Sequence, residues 1–236
     1  MRLWDMNWQQ VEAHLERDDR VVVPTGSTEQ HGFLSLGTDA ILAERVAVEA
    51  AEPLGIPVLP VLPIGMAPYF AAFPGSLSLR PATYLAVVTD VLDTLYASGF
   101  RRIALVNGHG GNVPAGAAAR QWTADPGHED ARVVLHSWYS GPRVAAAAAM
   151  VEAGASHGGW FENFPWTRLA GVDLPPEPKP LIDADAATQG PPGRLRELTP
   201  DGSFGGSYAV DDEAMLRIWD AGVGEVRDLL RDGWAA

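Results

Sequence analysis

The side chains best suited to chemistry in this chain stand in three glycine-rich clusters. The first, Gly26-Ser27-Thr28-Glu29-Gln30-His31-Gly32, is followed shortly by Gly37-Thr38-Asp39. It sets a carboxylate, an imidazole and a second carboxylate beside the expected end of a buried strand. These are the oxygen and nitrogen donors that a divalent cation takes, and the surrounding glycines permit the sharp turns that convergence requires. Glu29 and His31 are two apart, so in extended chain both point to one face. Asp39 follows Thr38, an expected N-cap, and falls in the first turn of a helix that its own charge favours. Alone, Asp39 reads first as a helix-terminal charge and second as a ligand.

The second cluster, Asn107-Gly108-His109-Gly110-Gly111-Asn112, follows another strand-like run. Backbone this permissive around His109 is costly unless something approaches closely, which points to a ligand or a metal. Asn107 and Asn112 either orient such ligands or cap the turn. The third cluster is His157-Gly158-Gly159-Trp160-Phe161-Glu162-Asn163. A five-residue spacing does not stack on one helix face, so His157 is expected on a loop and Glu162 in the first turn of a helix that tolerates Pro165. His14, on an amphipathic stretch over residues 8–15, reads as a surface residue, and His128 as part of a solvated loop.

The elements that must position these clusters alternate in type. Runs at 20–24 and 102–107 are β-branched or continuously apolar, as buried parallel strands are, and 132–136 reads as a further strand. Helical patterns follow over 39–52, 81–98 and 113–122, the second opened by Pro81 and closed by Gly99. The run at 58–63 carries prolines, which fit an edge or an extended segment. A layered α/β domain with a mostly parallel sheet follows, and in such sheets ligands collect at the carboxyl ends of strands, where both glycine-rich clusters fall. Residues 171–208 are proline-rich and weakly periodic, an expected excursion over the surface or over a neighbouring subunit. Residues 211–230 read as an amphipathic helix. No internal repeat or second domain boundary is visible, so residues 1–236 are expected to form one domain.

Composition narrows the chemistry. The chain has 236 residues and no cysteine, so thiolate metal sites, disulfides and cysteine nucleophiles are excluded. A net charge of −13 disfavours nucleic acid or an anionic membrane as partner. No apolar run approaches the ~18 residues of a membrane span, and the N-terminal residues lack a signal-peptide core, so the expected location is the cytoplasm.

Taken in order, the Glu29 cluster, Gly37-Thr38-Asp39, Phe73-Pro74-Gly75-Ser76-Leu77-Ser78, the His109 cluster and His157 followed by Glu162 resemble the creatininase (creatinine amidohydrolase) family. The resemblance covers about residues 20–170 well and the tail loosely. It implies a three-layer αβα fold, a homo-oligomer, often a hexamer, and two divalent metals per chain, zinc first and manganese second. The implied reaction is hydrolysis of a C–N bond in a small cyclic or linear amide by a metal-bridging hydroxide. It further implies Glu29 and His109 on one metal, His31 and Glu162 on the other, and Asp39 between them. His157 resembles the proton-transfer histidine, a role suited to an unperturbed pKa near ~6.5. Trp160 and Phe161 are expected either to wall the substrate pocket or to pack in the core, and Arg168 to meet an anionic or hydroxyl-rich substrate or to form a surface ion pair.

Two departures stand out. Relatives carry a Gly-Pro-His-Leu-Pro-Leu type segment where this chain has the shorter Gly32-Phe33-Leu34-Ser35-Leu36, and Asn163-Phe164-Pro165-Trp166 follows Glu162 in place of Thr-Ser and an apolar helix. Both suggest a substrate other than creatinine. The alternatives are a keto-inositol ring, or a peptide or formamide in cofactor biosynthesis. A mononuclear hydrolase would result if the short loop kept Asp39 from bridging, and a non-enzymatic metal-binding scaffold is the rival of a different class.

Overall fold

A computed structural model describes residues 1–154 and 156–234. Its centre is a parallel sheet of three strands, β1 (Arg20–Thr25), β2 (Arg102–Asn107) and β3 (Arg132–Ser137), in the order β1-β2-β3. The strands run in register, Arg20 beside Arg102 beside Arg132 at one end and Thr25 beside Asn107 beside Ser137 at the other. The proline-bearing segment at 58–63 lies parallel to the outer edge of β1, bridging Val22 through Val58 and Thr25 through Leu62. Pro57, Pro60 and Pro63 have no N–H to give, so this pairing stays fragmentary and never becomes a fourth strand.

Helices cover both faces. α1 (Trp8–Leu15) is followed by α2 (Thr38–Ala51), α3 (Pro81–Ser98), α4 (Ala115–Ala124), α5 (Pro142–Ala149), two short helices α6 (Ala184–Thr188) and α7 (Pro192–Leu198), and α8 (Asp212–Asp232). Side chains alternate across each strand, so Val22, Ala104 and Val106 pack with α2, α5 and α8, while Val21, Val23, Ile103 and Leu105 pack with α3 and α4. The result is the expected αβα sandwich. Each Val, Ile or Leu among them contributes about 1.5–3 kcal/mol when fully removed from water.

The proline-rich stretch departs from a plain extended excursion. It carries α6 and α7 and folds back on the domain: Lys179 and Gly206 pair in both directions, Ile182 N–H donates to Phe204 O (2.9 Å), and Phe204 N–H donates to His157 O (2.9 Å). Leu195 and Phe204 close with Phe70 and Phe73 into a small apolar cluster. This strap ties residues 179–206 to the third of the chemically suited clusters.

Two local expectations change. Gly37, not Thr38, is the N-cap of α2, and the Thr38 hydroxyl donates to Ser35 O at 2.7 Å. His14 is 2% exposed with neither ring nitrogen hydrogen-bonded, because it shares the inner face of α1 with Val11 and Leu15. Burial lowers its pKa below the ordinary value, against the attraction of Asp18. A depressed histidine pKa gives stability that is present above the unfolded value and lost as pH falls toward the folded one. His14→Leu should therefore shrink the fall in melting temperature between pH 7 and pH 5; an equal fall would place the acid sensitivity elsewhere.

Candidate metal centre and its cavity

The three clusters meet at the carboxyl ends of β1 and β2. The strand ends are joined by one buried side chain: Asn107 Oδ1 accepts from Thr25 Oγ1 (3.1 Å) and from His109 N–H (3.1 Å), while Asn107 Nδ2 donates to His109 O (2.7 Å) and Ser137 Oγ (3.0 Å). Asn112 makes the second tie, donating to Gly26 O (3.0 Å) and accepting from Met66 N–H (3.2 Å). Gly26 and Gly108 let the first turn of α2 settle directly on these ends. A Cβ on Gly26 would lie 2.5 Å from Ala40 Cα, and one on Gly108 would lie 2.4 Å from Asp39 O. That descent puts Asp39 inside the centre.

Asp39 stands between two imidazoles. Its Oδ1 is 2.9 Å from His31 Nε2 and its Oδ2 is 2.9 Å from His109 Nδ1. Glu29 Oε1 is 3.2 Å from His109 Nδ1, and Glu162 Oε2 is 3.9 Å from His31 Nε2. Two donor triads share Asp39, namely Glu29, Asp39, His109 and His31, Asp39, Glu162. The shortened loop at 32–36 turns tightly, with Leu34 N–H on His31 O and Glu29 N–H on Leu36 O, and it still delivers Asp39 to this place.

Backbone carbonyls fix each ring. His31 Nδ1–H donates to Glu29 O (3.0 Å) and His109 Nε2–H to Met66 O (3.0 Å), so the other nitrogen of each ring presents its lone pair inward. His157 follows the same rule, with Nε2–H donating to Gln30 O (2.7 Å) and Nδ1 lying 3.9 Å from Glu29 Oε1. Its ring stacks on Phe70 at 4.6 Å between centroids and 21° between planes.

The donor set fits a divalent metal on its own chemistry. Glu29 is fully buried, and neither of its carboxylate oxygens has a hydrogen-bond partner, nor has Asp39 Oδ2. Buried carboxylate oxygens without partners are costly, and a cation removes that cost. The approach of His109 Nδ1 to Asp39 Oδ2 without a hydrogen bond is how two ligands of one cation sit. With protons alone the cluster is strained electrostatically. Burial and then the Asp39 charge push Glu29 up, and burial pushes Glu162 up to about 7. Burial pulls His31 and His109 down, yet the carboxylates override it and lift His31 to about 10 and His109 well above its usual range. Burial works against Asp39 ionisation, but His31 and His109 hold its carboxyl below the usual range. His157 is pushed well down by burial and then by the charge on His31, so it stays neutral.

A cavity of about 580 Å3 opens from this cluster, lined by Glu29, Asp39, His109, His157 and Glu162 on one side. Phe161 lines it too. Trp160 does not: it is fully buried in the core beside Phe164 and α8. Glu162 comes from a single 3-10 turn, Trp160–Glu162, and no α-helix follows, because Thr167 Oγ1 donates to Glu162 O and takes Phe164 N–H in place of a helical bond. Glu162 Oε2 is held instead by Gly158 N–H (2.7 Å). Arg168 lies outside the cavity, bound to Asn163 and to Asp212. The pair is part-exposed, so Arg168→Ala should leave KM unchanged and cost below about 1 kcal/mol in an unfolding titration. A tenfold rise in KM would return Arg168 to the substrate. His128 stacks on Trp122 (3.8 Å, 17°) rather than standing in solvent, and His14 is remote.

Sequence reading missed Tyr69, Phe70, Tyr139 and Phe204, which line the cavity. Tyr69 and Phe70 sit in a single 3-10 turn, Pro68–Phe70, and Phe204 in the strap, both too short for periodicity to carry a signal. The one pointer was the presence of aromatic residues in proline- and glycine-rich backbone.

A three-layer parallel domain gathers histidines and carboxylates around Asp39 at its strand ends. The family model of creatininase, described as creatinine amidohydrolase, matches residues 4–230, and the chain belongs to this enzyme family. It is 34% identical over 112 residues to creatinine amidohydrolase of Pseudomonas putida, covering 44% of this chain and 43% of the relative. It is 31% identical over 107 residues to 3-dehydro-scyllo-inosose hydrolase of Thermotoga maritima (44% and 34%), and 40% over 106 residues to a mycofactocin precursor peptide peptidase of Mycolicibacterium smegmatis (42% and 42%). The matched stretches span less than half of each curated relative. A crystal structure of creatinine amidohydrolase superposes with a TM-score of 0.79 at 25% identity, over 100% of this chain and 98% of that one. A manganese creatininase gives 0.75 at 26%, over 100% and 99%, and a variant of Zn-Zn type shares the fold at 24% identity, with 0.79 over 100% and 98%. Among the described residues no helix is long and apolar enough to cross a membrane.

Proposed function

We propose that this chain is a hydrolase that holds two divalent cations, zinc or manganese, and cleaves a C–N bond of a cyclic or linear amide. Glu29, Asp39 and His109 would hold one cation, and His31, Asp39 and Glu162 the other. The observation that carries this reading is the position of Asp39, 2.9 Å from an inward-facing nitrogen on each side, beside a buried Glu29 carboxylate without partners. Bound cations would supply Lewis acidity to a substrate carbonyl and lower the pKa of a water. His157 is the proton carrier. With Nε2–H committed to Gln30 O, only Nδ1 can exchange a proton, and that nitrogen faces the cavity. It accepts a proton from the attacking water and returns it to the departing nitrogen, so the amine leaves neutral as the C–N bond breaks. Stacking on Phe70 and the carbonyl anchor keep the ring from turning. A homo-oligomer belongs to the same reading, and solution mass measures it.

Elemental mass spectrometry on protein purified without chelator should find close to two equivalents of zinc or manganese per chain. Turnover of an amide panel should stop on chelation and return with metal. Protein that takes up neither ion would sink the reading. His157→Asn should keep both ions and lower kcat by more than about a hundredfold, the scale of general acid-base catalysis.

A further inference from the structure

The cavity is built from two kinds of surface that the metal cluster does not need. One is aromatic: Tyr69, Phe70, Tyr139, Phe161 and Phe204 reach it from four separate segments. The other is a strip of small side chains on α5, where Ala145, Ala148 and Ala149 follow the i, i+3, i+4 spacing of one helix face. Opposed rings and alanines leave a slot rather than filling it. Its volume, about 580 Å3, lies within the roughly 300–1,000 Å3 of sites that hold drug-sized ligands. Away from the cluster, the charged lining residue among those described is Glu152, whose Oε1 accepts from Ser207 N–H at 3.1 Å. No lysine or arginine among the described residues faces the slot.

Resting on the hydrolase reading above, we propose that this site selects amides whose non-reacting part is a large apolar or aromatic group without negative charge. The unpartnered Glu29 carboxylate and the inward Asp39 mark where the scissile group sits, and the same cavity is lined by Phe161 and the α5 alanines. Face and edge contacts with several rings favour a planar substituent. An anionic substituent would lose its water with Glu152 as the nearest charge and no cation to replace the solvation.

Isothermal titration of the zinc-loaded protein with N-acetyltyrosinamide, N-acetylglycinamide and N-acetyl-4-sulfophenylalaninamide tests the selection. The tyrosine amide should bind more than about tenfold tighter than either other probe, as burial of one aromatic ring implies. Ala149→Phe, at an exposed helix position, should reduce that preference by a similar factor because it narrows the slot. Equal affinities, tighter binding of the sulfonated probe, or a preference untouched by Ala149→Phe would overturn the proposal. Hydrolysis is scored separately by chromatography. Selective binding of the tyrosine amide by protein with both metals, with no amide of the wider panel cleaved, would sink the hydrolase reading and leave the selectivity standing.

Discussion

Asp39→Ala should abolish turnover and release at least one cation while the sandwich stays folded. A single carboxylate belongs to both candidate triads, so its loss would open both proposed coordination shells together. Removing groups behind metal ligands already costs tenfold to a hundredfold, so loss of a shared ligand should exceed about a hundredfold in kcat/KM. The same residue sits in the first turn of α2, where losing a favourable charge costs about 0.3–1 kcal/mol. The two effects separate in Asp39→Asn, which keeps the side-chain shape and offers oxygen to one side only. That variant should retain one equivalent of metal and melt near the parent. If Asp39→Ala loses only a few-fold in rate and no metal, Asp39 is a helix-terminal charge that bridges nothing.

Gly111→Ala should be nearly as damaging by an indirect route. A Cβ there would lie 2.1 Å from Met66 O and 2.5 Å from His109 Nε2, between the two atoms whose 3.0 Å hydrogen bond orients the ring. Neither neighbour yields easily, since one is backbone and the other is wedged beside Asp39. The turn at Gly110–Asn112 must shift, and with it the Asn112 contacts to Met66 and Gly26. Overpacking of this kind costs about 1–3 kcal/mol. The larger effect should fall on the cation proposed for Glu29, Asp39 and His109, with affinity reduced by more than about tenfold. Competition with a chromophoric chelator measures it, and an unchanged affinity would show that the His109 ring is oriented by something other than Met66.

That donor-type side chains would gather at the strand ends was legible because glycines surround them there. Glu29, His31 and His109 could be picked out by donor type and by the glycines around them. Asp39 could not be separated from an ordinary helix-start carboxylate, since its role depends on α2 descending onto the ends of β1 and β2. The αβα order was readable from periodicity, and so was the fragmentary edge at 58–63. His14 was misread because a polar side chain at an inward helical position looks like solvent exposure until Val11 and Leu15 are seen beside it. Trp160 and Phe161 are neighbours in a 3-10 turn and in edge-to-face contact, yet only Phe161 reaches the cavity, which no spacing rule for α-helices anticipates. Arg168 meets Asp212, 44 residues on, a contact that only the docking of α8 creates. The strap hid its function because short helices in proline-rich chain have no amphipathic signature.

The donors of the two triads lie far apart along the chain, at positions 29, 31, 39, 109 and 162, and they meet only at the ends of a parallel sheet. Parallel pairing joins distant segments and forms slowly, so no partial fold of this chain offers a complete ligand set. A cation bound by the proposed ligand set would therefore be captured late in folding. Withdrawing the metal should accelerate unfolding and leave the refolding rate almost untouched, since the transition state forms before there is anywhere for the ion to bind.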